Sequence, residues 1–365
     1  MRYQNIIQAK KHAFMSLKIR RVCLPCSLLA GLLLFLQPVA GQYDFSGVDD
    51  FLQRNQKMLG NEVAAIIYKD GKEIYRKELG EFFNGRTQAP AGSTSKWFTA
   101  AVVMTFVDEG KLSLDDPVVK YIPVFRSYMK NYVTVRHCLT HTTGIENDKG
   151  KFTRVFKKKK FQSLEEEVKS IAEEEISDNP GKEFHYGDIG PILAARVIEV
   201  ISKKSFDRLV QERIFRKLKM RSSTFVNYNG GAPDPSSGAL SSPNDLVNFL
   251  SMFLNKGMFE GKRILSEEAI AEMNKTQYAD LPVKSAPGMT TGMHHGLGTW
   301  IQDEDVSGKS TVICNPSLSG SWPYIDLCRN YAAVFFVKSQ LKEPKKETAL
   351  QFKDIVDEQI KGGCN

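Results

Sequence analysis

Residues 97–107, Trp97-Phe98-Thr99-Ala100-Ala101-Val102-Val103-Met104-Thr105-Phe106-Val107, constrain the fold more than any other stretch of this chain. Wound as an α-helix they are apolar almost all round, so other elements must enclose them on every side. Gly110 supplies a C-terminal stop. Immediately ahead stands Ala91-Gly92-Ser93-Thr94-Ser95-Lys96, an S-x-x-K pattern. A serine hydroxyl is a poor nucleophile until a base takes its proton. An amine three residues further along a helix shares the serine's face and can serve that base. The helix N-terminus also favours developing negative charge. The same residues read equally as a plain N-cap serine followed by a solvated lysine.

The start of the chain has a different character. Residues 1–41 carry Arg2, Lys10, Lys11, Lys18, Arg20 and Arg21 and no Asp or Glu. Leu28–Leu36 form an apolar stretch, followed by Pro38-Val39-Ala40-Gly41. A basic region, an apolar region and small residues predict a secretory signal, cleaved after Gly41, and a secreted or periplasmic protein. The alternative is an uncleaved anchor, since Val22 to Gly41 is just long enough to span a bilayer. Only in that case is a membrane a partner. Without residues 1–41 the formal charge of +8 loses six positive charges and becomes +2. The basic balance therefore gives no reason to invoke nucleic acid. Lys157–Lys160 is answered by Glu165–Glu167 and Glu173–Glu175 and reads as a solvated loop and helix face.

Cys138, Cys314, Cys328 and Cys364 match no zinc spacing, and Cys314 with Cys328 is a candidate hairpin bridge. The six histidines show neither H-x-H-x-D nor H-E-x-x-H, so no metal site is read. No G-x-S-x-G elbow, phosphate-cradling glycine loop or nucleic-acid module is present.

Strand and helix signals divide the chain. Val63–Tyr68, an Asp70-Gly71 turn and Glu73–Arg76 read as a β-hairpin. Residues 120–275 are mainly helical, with a Gly/Pro/Ser/Asn-rich loop at 226–241. Strand signals return at 298–301, 310–313, 323–325 and 332–337, and a helix closes the chain at about 346–361. Roughly 320 residues after residue 41 allow two lobes. An α/β lobe of about 42–120 and 276–365 would hold an inserted helical lobe of about 121–275, with a substrate cleft between them.

Four further segments carry a family resemblance. Thr134–Gly144 resembles the T-I-R-x-L-L-T-H-T-S-G signature of class C β-lactamase-like serine hydrolases. Pro180–Asp188 is similar to that family's P-G-x-x-F-x-Y-S-N, Gly238–Leu246 to its G-G-L-x-S-T-A-x-D-L, and Gly296–Trp300 to its Y-G-L-G-W. The resemblance implies a β-lactamase/transpeptidase-like α/β fold: an antiparallel sheet flanked by helices, plus an all-helical lobe. It implies a two-step acyl-enzyme mechanism on an ester or amide, a small-molecule or peptide substrate, and no cofactor. Carried over by position, Ser93 is the nucleophile, and Lys96 and Tyr186 are the proton-transfer pair. The oxyanion hole would use the backbone N–H of Ser93 and one near Ser317. The other reading of Tyr186 is a core aromatic with a bonded hydroxyl. His141 reads as a buried structural residue.

Two departures stand out. Asp188 replaces the Asn that usually ends the second motif. The Lys or His of the third motif, six residues before Gly320, falls on Cys314-Asn315-Pro316. Asp188, Ser317 and Gly320 are thus the candidate substrate-binding residues, and His294 or His295 can replace the missing cation only if their loop covers the cleft. The changes predict an esterase or amide hydrolase for neutral or amine-bearing acyl groups. The alternative is a catalytically weak penicillin-binding-like protein that binds cell-wall or peptide ligands.

Overall fold

The computed structural model describes residues 43–146, 161–341 and 346–364. The signal-like segment and the Lys157–Lys160 run lie outside them.

A seven-stranded sheet takes its strands from both ends of the chain. Its order is Lys72–Leu79, Val63–Lys69, Tyr331–Val337, Trp322–Asp326, Ser310–Cys314, Trp300–Glu304 and His294–His295, with every neighbour antiparallel. The Asp70-Gly71 turn joins the first hairpin, and both turn residues take positive φ, as a tight two-residue loop requires. Val63–Ile67 and the whole of Tyr331–Val337 are buried, because the sheet is covered on both faces. Side chains alternate between the layers. Val63, Ala65, Ile67, Phe335 and Val337 join the helices Ser46–Asn55 and Lys346–Gln359 in one core, where the Phe335 and Phe352 rings lie 5.2 Å apart. Ala64, Ile66, Val334 and Phe336 face the opposite core.

That second core is built around the helix Thr94–Asp108, of which thirteen residues, Thr94 to Phe106, are buried. Trp97 meets Phe249 and Phe253 edge-on at 5.5 and 5.0 Å, and Phe98 meets Phe215 and Phe249 at 5.2 and 4.7 Å. Gly110, at φ +64°, ends the helix, and the Lys111 N–H returns to the Phe106 carbonyl at 2.9 Å. Between the two sets of strands lie the helices Val135–Leu139, Leu164–Glu173, Ile189–Ser202, Phe206–Val210, Pro243–Leu254 and Glu267–Met273. Three two-stranded ladders link them, among them Phe184–His185 with Val283–Ser285.

One close approach sets the geometry of the site. Gly298 has φ +72°, and a Cβ there would lie 2.7 Å from the Lys96 carbonyl oxygen and 2.6 Å from the Ala100 Cβ. Only glycine lets the 296–300 segment rest against the backbone of the central helix at Lys96.

The bridge expected between Cys314 and Cys328 does not form. Cys328 is bonded to Cys364, with the Cα atoms 4.8 Å apart, while Cys314 and Cys138 are buried free thiols. The reason is register. Cys314 pairs with Tyr324 and the Leu327 N–H with the Thr311 carbonyl, so Cys328 lies about four residues, ~13 Å, along the ladder from Cys314. A disulfide needs Cα atoms within about 7 Å. Among the described residues no helix is long and apolar enough to cross a membrane, and no His/Cys/Asp/Glu group is arranged to hold a metal.

Candidate active site

Ser93 occupies the N-cap of the central helix with right-handed helical dihedrals, φ −61° and ψ −19°, and is partly exposed. Three contacts pin the turn that carries it. The Ala91 N–H donates to the Ala239 carbonyl at 2.8 Å, the Ala239 N–H donates to Ser95 Oγ at 3.0 Å, and Thr94 Oγ1 donates to the Asn315 carbonyl at 3.4 Å. Gly92 completes the turn at φ +55°, and a Cβ on it would meet Ser317 Oγ at 2.1 Å. The serine is therefore wedged between two backbone segments that arrive from distant parts of the sequence.

Lys96 lies one turn along and is only 4% exposed. A buried ammonium needs partners on every side. It donates to the Ser236 carbonyl at 3.2 Å, approaches Asp188 Oδ1 at 3.5 Å, and sits 4.8 Å from the centre of the Tyr186 ring. Ser236 also donates its hydroxyl to Asp188 Oδ1 at 2.5 Å. Tyr186 follows the short strand Phe184–His185, and its N–H donates to the Ser285 carbonyl at 2.9 Å. Its ring is packed by His141, Trp300 and His295 at 4.5, 5.0 and 6.0 Å. Its hydroxyl is buried and has no hydrogen-bond partner among the described residues. A buried hydroxyl without a partner is costly in a resting protein and useful where a proton must change hands. Ser93, Lys96, Tyr186 and Asp188, 95 residues apart in sequence, are thus brought to one place.

The histidines are committed to neighbouring groups. His294 and His295 form the edge strand of the sheet; His294 Nδ1 is bonded to Glu304 Oε2 at 2.6 Å, and His295 is buried with Nδ1 on the Gly296 carbonyl at 2.7 Å. Burial pushes the His295 imidazole down to about 3, helped by the nearby Lys96 charge. His141 is buried with its Nδ1 accepting the Gly187 N–H at 3.4 Å, and burial together with His295 and Lys96 holds its pKa well below the usual histidine range. At the place of the missing third-motif cation, the Asn315 amide donates to the Gly298 carbonyl at 2.8 Å. The Cys314 thiol lies 4.0 Å from the Met293 sulfur, and burial pushes its pKa up, so it stays protonated.

Ser317 and Gly320 lie in the hairpin that follows the Ser310–Cys314 strand. The Asn315 N–H donates to the Pro323 carbonyl and the Ser317 N–H to the Ser321 carbonyl, at 3.1 and 2.9 Å. Both amides are spent within the hairpin. By alternation the groups turned to the other edge belong to Pro316, which has no N–H, and to Leu318. Leu318 is half exposed, and its N–H has no partner among the described residues. Gly320, at φ +98°, abuts the Leu341 side chain instead of the Ser93 turn. Ser236 and Leu318 escaped the sequence reading. A signal for Ser236 was present in Asp234-Pro235-Ser236, where Asp234 Oδ1 accepts the Ser236 and Ser237 N–H groups and closes an Asx turn.

A candidate beta-lactamase of solved structure from Bacteroides dorei DSM 17855 is 28% identical, covers 87% of this chain and 99% of its own, and superposes with a TM-score of 0.78. EstCE1, a hydrolase with promiscuous acyltransferase activity, shares the fold at 17% identity and a TM-score of 0.71, covering 85% of this chain and 97% of its own. The teichoic acid D-alanine hydrolase of Staphylococcus aureus (strain MRSA252) is 26% identical over 190 residues, 50% of this chain and 45% of that protein. The chain spans less than half the length of the curated relatives it matches. The family model described as Beta-lactamase matches residues 49–357, and the chain belongs to the Beta-lactamase family of serine hydrolases.

Proposed function

We propose that the chain is an extracytoplasmic serine hydrolase that forms an acyl-enzyme on Ser93 from an ester or amide. The observation that carries this is the enclosure of the Lys96 ammonium, held by Ser236 and Asp188 and set over the Tyr186 ring one helical turn from Ser93. With one proton of the Tyr186–Lys96 pair released to solvent beforehand, Ser93 Oγ adds to the substrate carbonyl carbon as its own proton passes to that pair. The Ser93 N–H and the Leu318 N–H receive the oxyanion. Collapse of the tetrahedral intermediate expels the alcohol or amine, which takes the proton back. Water then attacks the acyl-enzyme by the same proton path and releases the acid. The teichoic acid D-alanine hydrolase of Staphylococcus aureus, a relative by sequence, accords with acyl-group hydrolysis. The extracytoplasmic location rests on the signal-like residues 1–41.

Rapid mixing of residues 42–365 with a neutral chromogenic acetyl ester tests the reading. One equivalent of phenol per protein is expected in a burst, followed by slower turnover. Absence of both burst and turnover in the folded protein would favour the ligand-binding alternative.

A further inference from the structure

We infer that His141 is the positioning residue for Tyr186; the inference rests on the acyl-enzyme reading and assigns what holds its proton-transfer group in place. Three successive amides are fixed around that tyrosine. The His185 N–H donates to the His141 carbonyl at 2.9 Å, the Tyr186 N–H to the Ser285 carbonyl at 2.9 Å, and the Gly187 N–H to His141 Nδ1 at 3.4 Å. One residue thus grips the chain on both sides of Tyr186, with its backbone before the tyrosine and its side chain after it. Its imidazole also packs on the Tyr186 ring, 4.5 Å from centre to centre.

The backbone of His141 is itself held in an unusual state. Its φ is +56°, and of the nine described non-glycine residues with positive φ it alone is buried; the others are exposed. The left-handed region is costly for a residue with a Cβ and persists only where the surroundings enforce it. Here the Gly181 N–H on the Thr142 carbonyl and the Ser177 N–H on the Gly144 carbonyl, both at 2.8 Å, fix the loop. An imidazole that accepts at Nδ1 is neutral, with its proton on Nε2. Burial, then His295, Lys96 and His185, hold it in that form. Its Nε2 is buried without a partner among the described residues, as is the hydroxyl of Tyr186. The imidazole therefore orients the tyrosine through its backbone and ring face and leaves the hydroxyl unbonded for Ser93 and Lys96. A misplacement of about 1 Å can cost 10^2-fold in rate, so this grip bears on chemistry more than on binding.

The test follows the phenol burst from the neutral acetyl ester in His141→Asn and His141→Gln. Asn tolerates positive φ, and its Oδ1 takes the place of Nδ1; Gln carries its amide one bond further out and offers no acceptor there. In His141→Gln the burst rate is expected to fall about thirtyfold with KM changed less than about threefold, whereas His141→Asn should stay within about threefold of wild type. His141→Gly, which relieves the φ strain but lacks the acceptor, carries the same comparison if His141→Gln does not fold. Made in Tyr186→Phe, the same change at 141 should cost less than about threefold more, because the group it positions is gone. A purely structural residue would give the full loss in both backgrounds. A folded His141→Gln at the wild-type rate, a His141→Asn as slow as His141→Gln, or an undiminished loss in Tyr186→Phe overturns the inference. A wild-type burst beside any of those results would leave the acyl-enzyme reading standing; no burst from wild type would remove both.

Discussion

Replacing Lys96 with Met is expected to lower kcat for ester hydrolysis by about a thousandfold, with KM changed only a few-fold. Positioned proton transfer is typically worth 10^2- to 10^4-fold, and Lys96 is the buried cation beside both Ser93 and Tyr186. Met fills nearly the same volume in the buried first turn of the central helix, so core packing is conserved. Asp188 loses a partner but keeps the Ser236 hydroxyl and is half exposed, so it is not stranded without hydrogen bonds. Steady-state kinetics alongside thermal unfolding checks this. A Tm within a few degrees of wild type with kcat down a thousandfold is the expected pair of results. Retention of more than a tenth of kcat would remove Lys96 from the chemistry.

A second large effect is expected in the pH dependence of stability. His295 is buried and neutral when folded, with its pKa pushed down to about 3, and regains the ordinary 6.5 when the chain unfolds. Between those values the unfolded state binds the extra proton, so stability rises with pH across that window. The stabilisation is fully present above pH 6.5 and is lost as pH falls toward 3. At pH 5 the loss from His295 is about 2 kcal/mol, and His141, shifted in the same direction by burial, adds to it. Denaturant unfolding at pH 7.5 and 5.0 measures the drop. In His295→Gln that drop should shrink by about 2 kcal/mol, since carboxylate contributions are common to both proteins. An equal drop in the two proteins would mean that His295 is protonated in the fold.

Much of the fold was legible because it rests on local patterns. The all-round apolar stretch 97–107 became the enclosed helix, and the hairpin about Asp70-Gly71 and the late strands formed near their expected places. The helix Ser46–Asn55 was not read. Its buried Val48, Phe51 and Leu52 gain their meaning only from Phe335 and Phe352 packed on the same layer. The Cys328–Cys364 bond was equally invisible, because it depends on where the last helix leaves the chain end relative to the Asp326–Tyr331 turn.

At the site, residue identities were readable and orientations were not. Ser93-x-x-Lys96 fixes its own geometry through the helix. Whether Ser317 or Leu318 offers an amide depends on one residue of hairpin register, which the Ser317 N–H to Ser321 carbonyl bond decides. The histidines show the same limit: adjacent residues in the same short strand end with one side chain on Glu304 and the other buried beside Tyr186.

The central claim, that Ser93 is an activated nucleophile, is tested most directly by the intact mass of the protein after incubation with a fluorophosphonate, beside Ser93→Ala. The expected result is one adduct per wild-type chain, mapped to the peptide holding Ser93 and missing from the variant. An unlabelled, fully folded wild-type protein, or an adduct that persists in Ser93→Ala, would contradict it.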